Sequence, residues 1–105
     1  MTVVEMTALA RQITAAYAKK NQADGHKGWA LEQYMSGFVG DVGDLQKLVM
    51  AKVGYRHYDD VDAKLAHELS DCLWSILVIA DQLNIDIEAV YRQNMSQLLA
   101  EITNP

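Results

Sequence analysis

Apolar residues recur along this chain every three or four positions, the spacing of one helix face. Val3, Met6, Leu9, Ile13, Ala16 and Tyr17 define a first helix over 3–21. It opens on Thr2 and Glu5, which stand in a capping-box pattern. The segment ADGHKG (23–28) breaks it. Leu31, Tyr34, Phe38, Leu45, Leu48 and Val49 define a second helix over 30–53, with Gly54 placed to stop it. The polar stretch YRHYDD (55–60) ends in N-cap candidates and leads into a third helix over 61–83. That helix carries two apolar stripes: Val61, Leu65, Cys72, Ile76 and Ile79 on one, Trp74, Leu77 and Val78 on the other. Asn84 interrupts it, and Asp86 caps a fourth helix reaching about 102, with Val90, Met95, Leu98, Leu99 and Ile102 along it. No strand run bounded by turn signals occurs. The pattern predicts an all-α, four-helix bundle-like protomer, folded as a single domain over 1–105.

Within the second helix lies GFVGDVGDL (37–45), where glycines recur at three-residue spacing. Each costs a helix about 0.5–1 kcal/mol relative to alanine. Two aspartates, Asp41 and Asp44, stand among them. At about 100° per residue, Asp41 falls at the edge of the apolar stripe and Asp44, about 60° further round, is still on that border. The third helix repeats the arrangement with Glu68 and Asp71, which have apolar surface on both sides. If the two helices run antiparallel across the short connection, both acidic pairs sit at similar depth and face each other. Carboxylates about 5 Å apart at an effective dielectric near 20 repel by roughly 3 kcal/mol per pair. Such a cluster either takes up protons or recruits a cation. Oxygen donors alone suit Mg²⁺ or Mn²⁺ rather than zinc or copper.

Composition narrows the function. The chain has 105 residues, half of them hydrophobic, enough for one modest core. Nine basic residues against fourteen acidic ones give a net charge of −5. With no basic run, it is a poor candidate for nucleic acid or anionic membranes. A single cysteine, Cys72, excludes an internal disulfide and suits a reducing compartment. The N-terminal segment does not read as a signal peptide. The longest apolar run, Cys72 to Ala80, falls well short of the roughly 20 residues that span a bilayer. A cytoplasmic location is the expectation. No Glu-x-x-His pair occurs, so the di-iron bundle pattern is not met.

The segments DVGDLQKLV (41–49) and HELSDCLWSILVIADQLNIDIEAV (67–90) resemble the MazG-like, all-α nucleotide pyrophosphohydrolases. Their signature is Glu-x-x-Glu, a spacer of variable length, then Glu-x-x-Asp. The resemblance covers roughly 29–100 and is strongest over 67–90. It implies a homodimer or homotetramer that binds Mg²⁺ through four acids. It also implies hydrolysis of a nucleoside triphosphate to the monophosphate and pyrophosphate, often to remove non-standard nucleotides. Asp41, Asp44, Glu68 and Asp71 take the metal positions, and Asp44 or Glu68 is the candidate to accept a proton from water. Asn94 matches a polar position that often faces the nucleotide in the family, while Gln97 departs from the usual lysine. Asp41 and Asp44 replace the family's glutamates, and Gly40 stands where a further glutamate is common. Aspartate is shorter by about 1.5 Å, so helix two must sit closer, water must fill the gap, or activity must fall.

Four further positions border this picture. Lys47 and Lys64, each one turn from an acid, can contact phosphates or serve as i, i+3 and i, i+4 ion pairs. Trp29 and Tyr34 can stack on a base or pack in the core. Arg56 and His57 can close over phosphates or read as a solvated loop, His26 and His67 have no assigned role, and Cys72 lies on the buried stripe. Trp74 is assigned to packing, and two apolar faces on helix three imply a partner surface. The alternative to an enzyme is a bundle that keeps the fold and serves as a non-catalytic nucleotide-binding or protein-interaction module.

Overall fold

A computed structural model describes residues 1–104, which form four helices and no strand: α1 Val3–Ala23, α2 Leu31–Lys52, α3 Val61–Gln82 and α4 Ile87–Thr103. Local chemistry sets their ends. The Thr2 hydroxyl accepts from the Glu5 backbone N–H while the Glu5 carboxylate accepts from the Thr2 N–H, each at 3.1 Å. The Ala30 N–H before α2 is taken by the Gln33 side chain at 2.7 Å. The Asp86 carboxylate accepts from the Ala89 N–H at the head of α4. Asp60 occupies the cap position of α3 without capping it, because its backbone is left-handed, at φ +56°, and its side chain makes no cap bond. Gly54 (φ +97°) and Asn84 (φ +56°) end α2 and α3 in the left-handed conformation that favours these two residue types. The next N–H in each case reaches back into the last turn, Tyr55 to Met50 at 2.9 Å and Ile85 to Ala80 at 2.8 Å.

α3 is the central element. α2 packs along one side of it and α1 along another. Lys52 pairs with Asp62 beside the connection, Asp41 and Asp44 meet Glu68 midway, and Tyr34 meets Trp74 at the far end. That order makes α2 and α3 antiparallel. α1 also runs antiparallel to α3: Arg11 reaches Asp81, and Tyr17 stands beside Asp71 and Trp74. The Arg11 guanidinium grips Asp81 through Nε and Nη2 at 2.6–3.0 Å, holding the Asp81 carboxyl below its ordinary range.

The core is small. Ala10, Tyr34, Leu77 and Val78 cluster between the helices, with Val3, Met6, Trp74, Ile79 and Ile87 packed against them. Trp74, Leu77 and Val78 of the second α3 stripe belong to this core, and Cys72 of the first stripe is buried as well. Val49 and Ile76, expected on buried stripes, are 47% and 39% exposed. Both point to a side of the α2–α3 pair that no other helix covers. α4 buries none of its residues and touches the core through Ile87. The molecule is accordingly elongated, with extents of 56 × 39 × 25 Å and a radius of gyration of 17.0 Å, against about 13 Å for a compact chain of this length. None of the four helices is long and apolar enough to cross a membrane.

Candidate metal centre

Antiparallel pairing brings three carboxylates from two helices together. One oxygen each from Asp41, Asp44 and Glu68 lies within 4.8 Å of the other two. Asp41 and Glu68 are half-buried, whereas Asp44 is exposed. Octahedral Mg²⁺ at about 2.1 Å sets its oxygens about 3–4.2 Å apart. Small side-chain rotations would bring oxygens already this close to that spacing, and three carboxylates offer the hard donors that Mg²⁺ or Mn²⁺ prefers. The donor set therefore fits a divalent cation.

Asp71 stands apart from this group of three. It lies one turn beyond Glu68, and its Oδ2 sits 3.2 Å from His67 Nε2. Its charge still acts on the cluster. Burial pushes the Glu68 carboxyl above its ordinary value of 4.5, and Asp41, Asp71 and Asp44 push it further in the same direction. Burial, with Asp41, Glu68 and Asp71, raises the adjacent Cys72 thiol, which disfavours a thiolate nucleophile. The cluster thus holds excess negative charge, which a proton or a cation relieves.

Two hollows flank the acids. A cavity of about 480 Å³ is lined by Asp44, Lys47, Tyr58, Lys64, His67 and Glu68 among others. Neither Lys47 nor Lys64 forms a salt bridge among the described residues, and Lys64 Nζ sits over the Tyr58 ring at 5.7 Å. Both cations are therefore available to an anion beside the carboxylates. On the other flank, Asp41 and Asp71 open with Tyr17 and Trp74 onto a hollow of about 350 Å³. Tyr17 and Trp74 also line a third space of about 440 Å³ with Asn21, Trp29 and Tyr34. Trp29 is half exposed, Tyr34 is buried, and the rings meet edge-on at 5.4 Å for Trp29–Tyr34 and 5.9 Å for Tyr34–Trp74. Trp74 Nε1 is buried without a hydrogen-bond partner.

Asn94 stands exposed on α4 and lines neither hollow beside the acids. Tyr17, Tyr58 and His67 border the site without having been singled out. His67 had a local signal in its i, i+4 spacing to Asp71, whereas Tyr17 and Tyr58 reach the site only through tertiary packing.

The glycines of α2 now have distinct explanations. A Cβ at Gly37 would lie 3.2 Å from Trp29 Cζ3, so Gly37 admits the indole ring. A Cβ at Gly40 would meet nothing within 4 Å, so packing within the protomer does not require glycine there. Gly40→Ala is expected to raise stability by about 0.5–1 kcal/mol in chemical denaturation, whereas Gly37→Ala must displace Trp29 and should gain less or lose.

Comparison of the chain with protein-family models, with curated proteins and with solved structures finds no match. Geometry and residue chemistry therefore carry the functional reading.

Proposed function

We propose that the chain is a Mg²⁺-dependent nucleoside triphosphate pyrophosphohydrolase of the MazG-like type, working as a homodimer or homotetramer. The observation that carries this reading is the approach of Asp41, Asp44 and Glu68 to within 4.8 Å, beside a hollow that also holds Lys47 and Lys64.

Asp41, Asp44 and Glu68 would hold the cation, with Asp71 one turn away to engage a second ion or its water shell. The bound ion supplies charge neutralisation at the phosphates and acidifies water. Lys47 and Lys64 draw the phosphates into the hollow and offset the approach of a tetra-anion to a carboxylate cluster. Water attacks the α-phosphorus, the bond to the bridging oxygen breaks, and pyrophosphate leaves with the former anhydride electrons. Asp44 or Glu68 would accept the proton of that water. The aromatic space of Trp29, Tyr34 and Trp74 lies on the opposite flank of the acids, where a planar base can stack.

The test is metal-dependent pyrophosphate release over a panel of ordinary and damaged nucleoside triphosphates. Release with the matching monophosphate supports the reading, and no release from any of them with Mg²⁺ or Mn²⁺ rejects it. Binding without release would favour the non-catalytic bundle. In the same assay Lys47→Ala and Lys64→Ala are expected to raise KM about tenfold each, since each removes a charge-assisted contact of about 1.5 kcal/mol.

A further inference from the structure

With the hollow beside the acids taken as the phosphate site proposed above, we infer that Tyr58 is a positioning residue: its ring holds the Lys64 ammonium on the cavity wall and away from the carboxylates. That cavity is lined by Asp44 and Lys47 of α2, by Lys64 and Glu68 of α3, and by Tyr58 and Asp60 of the connection between the helices. Lys64 stands four residues from both Asp60 and Glu68, a spacing at which lysine commonly pairs with an acid on a helix. It pairs with neither among the described residues. Its Nζ lies instead over the Tyr58 ring, 5.7 Å from the centroid, within cation–π range.

The placement has a chemical consequence. An ammonium laid on Glu68 would cancel part of the charge that attracts a divalent ion, and its own charge would already be occupied. Held on an aromatic face, it keeps its charge and its N–H donors for an incoming phosphate. A cation–π contact at an exposed ring is weaker than a charge-assisted bond, so the ring releases the ammonium when an anion arrives. Lys52 at the end of α2 meets Asp62 at the start of α3 at 2.6 Å, which draws the two ends of the connection together near Tyr58. The Tyr58 ring is 36% exposed, whereas Tyr55 in the same connection is 78% exposed and lines no part of this cavity.

Calorimetric titration of the full chain with inorganic pyrophosphate in Mg²⁺ tests the role of Tyr58 without requiring turnover. Tyr58→Leu should weaken binding about fivefold. Tyr58→Phe, which keeps the aromatic face, should bind like the parent, and Tyr55→Leu should change nothing. With Lys64→Ala already in place, Tyr58→Leu should add no further loss, because the ring acts only through that ammonium. In the parent labelled on lysine, the Lys64 side-chain NMR signals should carry a ring-current shift that Tyr58→Phe retains and Tyr58→Leu removes. Lys64 signals without that shift overturn the proposal even if Tyr58→Leu fails to fold. So does a parent that binds no pyrophosphate, a Tyr58→Leu chain that binds it as tightly as the parent, or losses from Tyr58→Leu and Lys64→Ala that simply add. A Tyr58→Phe chain as weak as Tyr58→Leu also overturns it, since the hydroxyl would then be the contact. Pyrophosphate binding without release from any nucleoside triphosphate would reject the hydrolase alone, and the same variants would still decide the role of Tyr58.

Discussion

Glu68→Gln is expected to lower metal-dependent pyrophosphate release by roughly 10²–10⁴-fold while helicity is retained and metal-free stability rises. The amide keeps the shape of the side chain and removes one of the converging charges. Glu68 is half-buried and surrounded by Asp41, Asp71 and Asp44, all of which raise its carboxyl's affinity for a proton. The sign follows. A carboxyl whose folded pKa is raised destabilises the fold when ionised, an effect absent below its unfolded value and complete once pH exceeds its folded value. At neutral pH without metal, glutamine removes that penalty, so the variant melts higher than the parent. Circular dichroism and calorimetry read the stability, and the pyrophosphate assay reads the chemistry. Loss of helicity in the variant would instead make Glu68 a structural residue.

The second large effect is stabilisation by the cation. An ion bound only by the folded chain stabilises it by about 2.7 kcal/mol at a free concentration about 100 times its dissociation constant. For a domain of this size that raises the melting temperature by about 10 °C or more. Protons compete with the ion at Glu68. Because that carboxyl is raised above 4.5, the Mg²⁺-induced shift should shrink as pH falls from neutrality into the acid range and Glu68 takes up its proton. Differential scanning fluorimetry in Mg²⁺ and in a chelator, across that range, measures it. Asp41→Asn should reduce the shift at every pH. A shift equal in the parent and in Asp41→Asn, Asp44→Asn and Glu68→Gln would place the ion elsewhere.

Much of this architecture is legible in the sequence because it is local. Four helices follow from a 3.6-residue period that is unbroken between Gly- and Asn-bearing connections. The Thr2–Glu5 and Asp86 caps lie within one turn of the groups they satisfy. The approach of Asp41 and Asp44 to Glu68 is legible for another reason. A short connection forces antiparallel pairing, and the acids stand at matching distances from it.

What the sequence conceals is which direction each helix turns once its neighbours are placed. Val49 and Ile76 share the period of the buried stripe, yet they are 47% and 39% exposed, since a helical period marks a face and not how much of it a neighbour covers. Asp60 reads as a cap by residue type, but a left-handed backbone turns it out of reach of the first amides. Asp71 pairs with the cluster by spacing, whereas His67 engages its carboxylate. The aromatic chain Trp29–Tyr34–Trp74 joins a connecting segment to two helices, and no short-range pattern records it. Gly37 is explained only by the indole that passes over it.

Three carboxylates gathered on a divalent ion are the centre of the account, and paramagnetic Mn²⁺ locates such an ion directly. Substoichiometric Mn²⁺ added to the isotope-labelled chain should broaden amide signals around Asp41, Asp44 and Glu68 first, leave those near Asp24 and Asp86 sharp, and be reversed by excess Mg²⁺. Broadening spread evenly over the acidic surface, or centred away from α2 and α3, would contradict it.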